Sequence, residues 1–462
     1  MLDGELHYLE LVSLARLVQT GQLSPVEVTR ALLSRIAELD VRLGSYVTVT
    51  AGRALSEARA AEREIGRGHI RGALHGVPIA LKDVIDVAGV ATAAGMPMFA
   101  DRIAARDATI TVRLRQAGAI LLGKTQLTEG AYGQYPPPFT APVNPWHPGY
   151  WPGASSSGSG VAVAAGLCFA ALGTDTGGSI RAPSAVNGLT GIRPTWGRVS
   201  RHGVAPLAAT LDQAGPMARS AVDAAALLGV IAGHDPADPA SALDAVPDYL
   251  AGLGREVGGL RVGIDPGYAL GRVDPAAGAA VQAALTVFGE LGAEVRELVI
   301  PDLDQAAADW LGVCSVQAAL THEGSYPARR AEYGARLGAL LERGRAMTAV
   351  NYERLLQRRA EFRGRMEAVL AGVDVLILPV LPRAAPRTDE LDDQAVRDLR
   401  RFTAPFAMSG HPALVMPAGF TAPGLPVAVQ LVARHFGEPT LIRAAGAFQR
   451  ATGWHRCHPA LG

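Results

Sequence analysis

The stretch GTDTGGSIRAPS, residues 173–184, sets two adjacent glycines directly before a serine. Consecutive backbone N–H groups can then turn into one concavity with no side chain in the way, an arrangement that stabilises an oxyanion. Ser179 stands beside that concavity as a candidate nucleophile. The same residues would also form a tight Gly-Gly turn whose serine caps the next helix. A serine nucleophile needs a base. The chain has 11 histidines, and none lies near Ser179 in sequence or in a segment of catalytic character. The candidate is Lys82, which closes the apolar run of GVPIALKDVID. Burial disfavours an ammonium, so such a lysine can be neutral and accept a proton. A strand-end lysine that snorkels to solvent is the alternative.

Two further stretches resemble functional motifs. Gly118-AILL-Gly123-Lys124-Thr125 matches the phosphate-loop pattern letter for letter. Its four intervening residues read as a strand rather than a loop, and a helix-like segment precedes them, so nucleotide binding is rejected there. GASSSGSGVAVAAG, residues 153–166, reads as a flexible linker by composition. It runs at once into small apolar residues, which a linker does not need.

GVPIALKD, PGASSSGSG and GTDTGGSIRAPS, in that order and at that spacing, resemble the amidase signature family. The resemblance continues in GLTGIRPTWGRVSRHGVAPLAATLDQAGPMARS (188–220), GLPVAVQLVARHFGEPTLIRAA (424–445) and TGWHRCHP. It is strong from about 70 to 220 and over the last sixty residues, and weak in the middle. The resemblance implies a Ser-cisSer-Lys triad in which Ser179 is the nucleophile, Ser155 the bridging serine after a cis Ala154–Ser155 peptide, and Lys82 the base. It also implies backbone oxyanion donors at Thr176, Gly177, Gly178 and Ser179, with Asp175 and Arg181 organising their loop. Ala154 departs from the family's usual glycine, and Gly160 stands where alanine is common. The implied reaction is hydrolysis of an amide, carbamate or urea through an acyl-enzyme, with no cofactor and no metal. The glutaminase component of a glutamyl-tRNA amidotransferase, its A subunit, is the alternative. GKTQLTEGAYG and PRAAPRTDELDDQAVRDLRRF depart from that branch and argue for a stand-alone hydrolase.

These residues require a scaffold. Short apolar, partly β-branched runs alternate with helical periodicity before residue 220, which predicts an α/β fold with a large mixed, mostly parallel sheet flanked by helices. One domain over 1–462 is expected: N-terminal helices over 1–66, with Ser24 and Pro25 starting one of them; a core over 67–220; a mostly helical variable region over 221–372, with one strand at 260–265; and C-terminal strands and a helix over 373–462 that complete the core. VAVAAGLCFAALG, 161–173, reads as one buried helix, too short to span a membrane. Aromatic residues Tyr135, Phe139, Trp146, Tyr150 and Trp151 punctuate the proline-rich stretch 133–153, which would line an apolar entrance or simply pack a long loop.

Bulk properties narrow the partners. Lys+Arg and Asp+Glu balance at 43 each, so no global field recruits nucleic acid or an anionic membrane. The chain is 49% hydrophobic and 19% charged over 462 residues, enough for a sizeable core. Three cysteines without metal-ligand spacing fit a reduced, cytoplasmic setting, and the acidic, amphipathic N-terminus lacks a signal-peptide pattern. A small-molecule amide or carbamate is the expected partner, with a homodimer left open.

Overall fold

Apolar runs without polar alternation make the middle of the sheet. β2 (Pro78–Lys82), β3 (Ile120–Thr125), β4 (Ala170–Asp175) and β6 (Gln213–Ala218) are buried along their whole length. Strands of that kind belong inside a layer covered on both faces by helices. The computed structural model describes residues 6–461; residues 1–5, the start of the N-terminal segment discussed above, and Gly462 lie outside the described residues.

The other strands are β1 (Tyr46–Val49), β5 (Thr190–Arg193), β7 (Arg261–Ile264), β8 (Glu294–Glu297), β9 (Val375–Pro379), β10 (Ala413–Phe420) and β11 (Pro426–Val432). Together they form one 11-stranded sheet in the order β1-β3-β2-β4-β6-β5-β10-β11-β9-β7-β8. The sheet is α/β and mixed, as expected. Its parallel share is smaller than predicted, with four parallel ladders against six antiparallel. The reason lies in the connections. A short turn from Thr421 to Leu425 joins β10 to β11, and a stretch without a helix joins β5 to β6, so both pairs reverse direction. The two halves of the chain meet where β5 pairs with β10 at Arg193↔Ala413.

The early helices form where their signals lie. A helix spans Ala51–Gly66, and the helix Pro25–Leu43 starts where Ser24 Oγ accepts from the N–H groups of Val26 (3.1 Å) and Glu27 (3.2 Å). The run 161–173 is not one helix. It divides between the end of the helix Ser157–Ala164 and the start of β4, with Gly166 at φ +67° making the break. The middle region holds a second strand beyond the predicted one: β8, EVRE, is an exposed edge whose charges hide its extended form. No helix among the described residues is long and apolar enough to cross a membrane.

Candidate active site

β2 and β4 are parallel neighbours and each ends on an ionisable residue, Lys82 and Asp175, so both side chains arise at one edge of the sheet. Such carboxyl-terminal edges are where α/β sheets place their sites. Lys82 is fully buried, and its Nζ lies 2.8 Å from Ser155 Oγ and 2.8 Å from Thr174 Oγ1. Burial lowers its pKa to about 7, against the upward pull of Asp175 and Asp212. The snorkelling alternative is therefore excluded. Lys124 of the phosphate-loop look-alike is buried too, tied to Asp83 Oδ1 (2.8 Å) and Thr92 Oγ1 (2.9 Å).

Asp175 organises the loop that follows it. Arg181 grips it through Nε (3.0 Å) and Nη2 (3.0 Å), and the N–H groups of Gly178 (2.7 Å) and Ile180 (3.2 Å) donate to it. Arg193 adds a third cationic contact at 3.4 Å. Burial alone would raise this carboxyl, but Arg181, Arg193 and the loop amides hold it well below the usual range. Each peptide carbonyl of the next turn is also held. Asp175 O accepts from Arg193 Nη1, Thr176 O from Trp310 Nε1 (2.8 Å), Gly177 O from Thr403 Oγ1 (2.7 Å) and Gly178 O from the Ala182 N–H (2.7 Å). In a trans peptide the N–H points opposite its carbonyl, so these four bonds set the direction of four N–H groups. That of Gly178 is taken by Asp175. Among the described residues those of Thr176, Gly177 and Ser179 have no acceptor, so three of the four candidate oxyanion donors are free.

The glycines permit this packing. A Cβ on Gly178, at φ +134°, would stand 2.4 Å from Thr403 Oγ1, and one on Gly177 2.6 Å from the Trp310 ring. Gly178→Ala is accordingly expected to cost about 1–3 kcal/mol of stability in urea unfolding. It should lower turnover more than it weakens substrate binding, because the N–H directions shift with the loop.

The Ser/Gly tract is a packing element in which each serine has its own partner. Ser156 Oγ donates to Thr174 O (3.1 Å) and accepts from Thr174 N–H (3.2 Å). Ser157 Oγ meets Tyr135 OH (2.6 Å), and Ser159 Oγ donates to Leu172 O (3.0 Å). A Cβ on Gly158 would lie 2.3 Å from Ser45 O, so backbone meets backbone there. The Ala154–Ser155 peptide is cis.

Ser155 and Ser179 line one cavity of about 650 Å³ together with residues 176–178. Ser179 is the partly exposed residue of an otherwise buried loop. The Ser156 N–H donates to Ser179 O at 3.3 Å, and no hydrogen bond joins the Ser155 and Ser179 hydroxyls among the described residues. Tyr135, Phe139 and Trp151 line the cavity. Trp146 and Tyr150 do not: Trp146 packs on Phe420 and donates to Asn187 O, and Tyr150 meets His147 edge-on. Sequence reasoning missed Trp310, Thr403, Thr174 and Asp212, whose carboxylate accepts from Thr176 Oγ1 (2.6 Å). A lone tryptophan in the alanine-rich helix Leu303–Thr321 was the one available signal.

Known proteins resemble this chain along nearly its whole length. The sequence profile of the Amidase family matches residues 27–442. The inferred amidase AmiD of Mycobacterium tuberculosis is 45% identical over 458 residues, 98% of this chain and 96% of its own. The A subunit of the glutamyl-tRNA(Gln) amidotransferase of Azotobacter vinelandii is 40% identical over 98% of this chain and 99% of its own. The crystal structure of the native peptide amidase from Stenotrophomonas maltophilia superposes with a TM-score of 0.83 at 32% identity, covering 96% of this chain and 97% of that one.

Proposed function

We propose that this chain, which belongs to the amidase family and is a hydrolase of carbon–nitrogen amide bonds, works through Lys82, Ser155 and Ser179 on a small-molecule amide or carbamate. The observation that carries the reading is the buried Lys82 Nζ, 2.8 Å from Ser155 Oγ and with its pKa lowered to about 7. A neutral amine has a lone pair to accept the Ser155 proton, and Ser155 in turn accepts that of Ser179 as its oxygen attacks the carbonyl. The N–H groups of Thr176, Gly177 and Ser179 receive the oxyanion. Ser155 then returns a proton to the leaving nitrogen, and water cleaves the acyl-enzyme by the same relay. The aromatic lining of the cavity suits aryl or alkyl amides, anilides and carbamates.

Purified protein assayed unaided on matched anilides, carbamates and ureas tests this reading. Turnover of glutamine, dependent on added partner subunits, would replace it with the amidotransferase reading. The bridge has its own test. Ser155→Ala should lower kcat/KM on an anilide by about 10²–10⁴-fold and by clearly less on the matched ester, whose leaving group needs less protonation. Equal losses on both would make Ser155 positional only. Ser156→Ala and Ser157→Ala should affect catalysis less than Ser155→Ala does.

A further inference from the structure

Arg400 occupies an unusual place in the cavity that holds Ser179. Its guanidinium leans on two aromatic faces at once, 4.9 Å from the Tyr132 ring centroid and 4.9 Å from that of Trp310. Two cation–π contacts attract the charge but give the guanidinium N–H donors no hydrogen-bond acceptor. Among the described residues those donors have no hydrogen-bond or ion-pair partner. The other arginine on the wall, Arg336, is paired with Asp393 at 2.6 Å. No carboxylate among the described residues lines the cavity. Beyond Arg400 adjoins a second cavity of about 750 Å³, which shares Tyr132, Trp310, Arg336 and Arg400 with the first. Of its carboxylates, Asp304 is paired with Arg401 (2.7 Å) and Asp393 with Arg336, while Asp398 accepts only from the neutral amide of Gln394 (2.8 Å). Trp310, which props Arg400, is also the residue that holds the Thr176 carbonyl of the oxyanion loop. The charge-bearing wall and the reacting loop are therefore spaced by one rigid ring.

We infer that Arg400 is a substrate-binding residue that selects amides carrying a carboxylate or an equivalent planar anion away from the scissile bond. This rests on the cavity being the substrate site, as proposed above. An anion in the cavity that holds Ser179 meets a fork of free N–H donors and no lining carboxylate, whereas an ammonium meets an unneutralised guanidinium. Lys82, lowered to about 7 by burial, loses its competing charge as pH rises above that value.

Equilibrium binding separates this inference from the catalytic one. Ser179→Ala protein is titrated by calorimetry with three anilides that differ only in the end of the acyl chain, carboxylate, methyl ester or ammonium, and with a second set bearing those ends on the amine side. In one of the two sets the carboxylate is expected to bind about 10–100-fold tighter than the ester, and the ammonium weakest. Adding Arg400→Gln should bring the carboxylate-to-ester ratio to about 1, and Arg400→Glu should invert it in favour of the ammonium. A ratio near 1 in both sets before Arg400 is changed, a ratio that survives Arg400→Gln, or no binding by any member would each overturn the inference. Whether Ser179 is the nucleophile is read separately from turnover, and it can fail while this result stands.

Discussion

Ser179→Ala is expected to lower kcat by about 10⁴-fold or more on any amide the protein hydrolyses, while the far-ultraviolet circular dichroism is unchanged. Ser179 is the partly exposed hydroxyl-bearing residue of a loop whose carbonyls are held from Asp175 to Gly178. Loss of its Oγ removes the proposed attacking atom and disturbs none of those contacts. A serine-directed fluorophosphonate should label one peptide, the one containing Ser179, and label nothing in the variant. Full activity in Ser179→Ala, or labelling elsewhere, would discard the nucleophile.

The second large effect is expected at Lys82, the proposed base. With the Lys82 pKa lowered to about 7 by burial, the fraction able to accept a proton rises through neutrality, so kcat/KM should climb with pH around 7 and then level. Lys82→Arg keeps the charge but cannot release its proton in this range, and should fall about 10²–10⁴-fold, close to Lys82→Ala. An active, pH-independent Lys82→Arg would dismiss the lysine as base. The same shift has a sign for stability. Between about 7 and the ordinary 10.5 the unfolded chain holds a proton on this residue that the folded chain has released, so stability rises with pH over that window. Below it both states are protonated and the cost of the buried ammonium is at its largest. Lys82→Met should therefore be inactive yet more resistant to urea at pH 6, with a flatter pH dependence of unfolding.

What the sequence disclosed follows from the range of the interactions involved. Lys82 and Ser179 could be named as candidates from their own segments, an apolar run ending on a lysine and a Gly-Gly-Ser turn, whereas Ser155 was named only through the resemblance of its Ser/Gly tract to the amidase signature family. The helix Ala51–Gly66 and strands β2, β3, β9, β10 and β11 were legible because periodicity and apolar runs are local. Trp310 and Thr403 were not, since nothing beside them in sequence says which carbonyl they reach: their partners are 134 and 226 residues away. Gly166 was read through because a lone glycine among small apolar residues leaves no polarity break. The direction of the strands was misjudged for a similar reason. Alternation of strand and helix early in the chain suggested parallel crossovers, and the reversals after residue 190 depend on what later residues pair with.

The pairing of β5 with β10 has a consequence for how the protein is made. Until synthesis reaches residue 413, the β5 edge at Thr190–Arg193 has no neighbour on that side, although β4 and β6 have long since emerged. At about 5–20 residues per second the nascent chain carries that open edge for on the order of tens of seconds. An unpaired strand edge is a template for pairing with another chain. Crowded polysomes would thus bring incomplete copies together at this edge, and yield should respond to chaperone supply and to slower initiation more than to the stability of the finished enzyme.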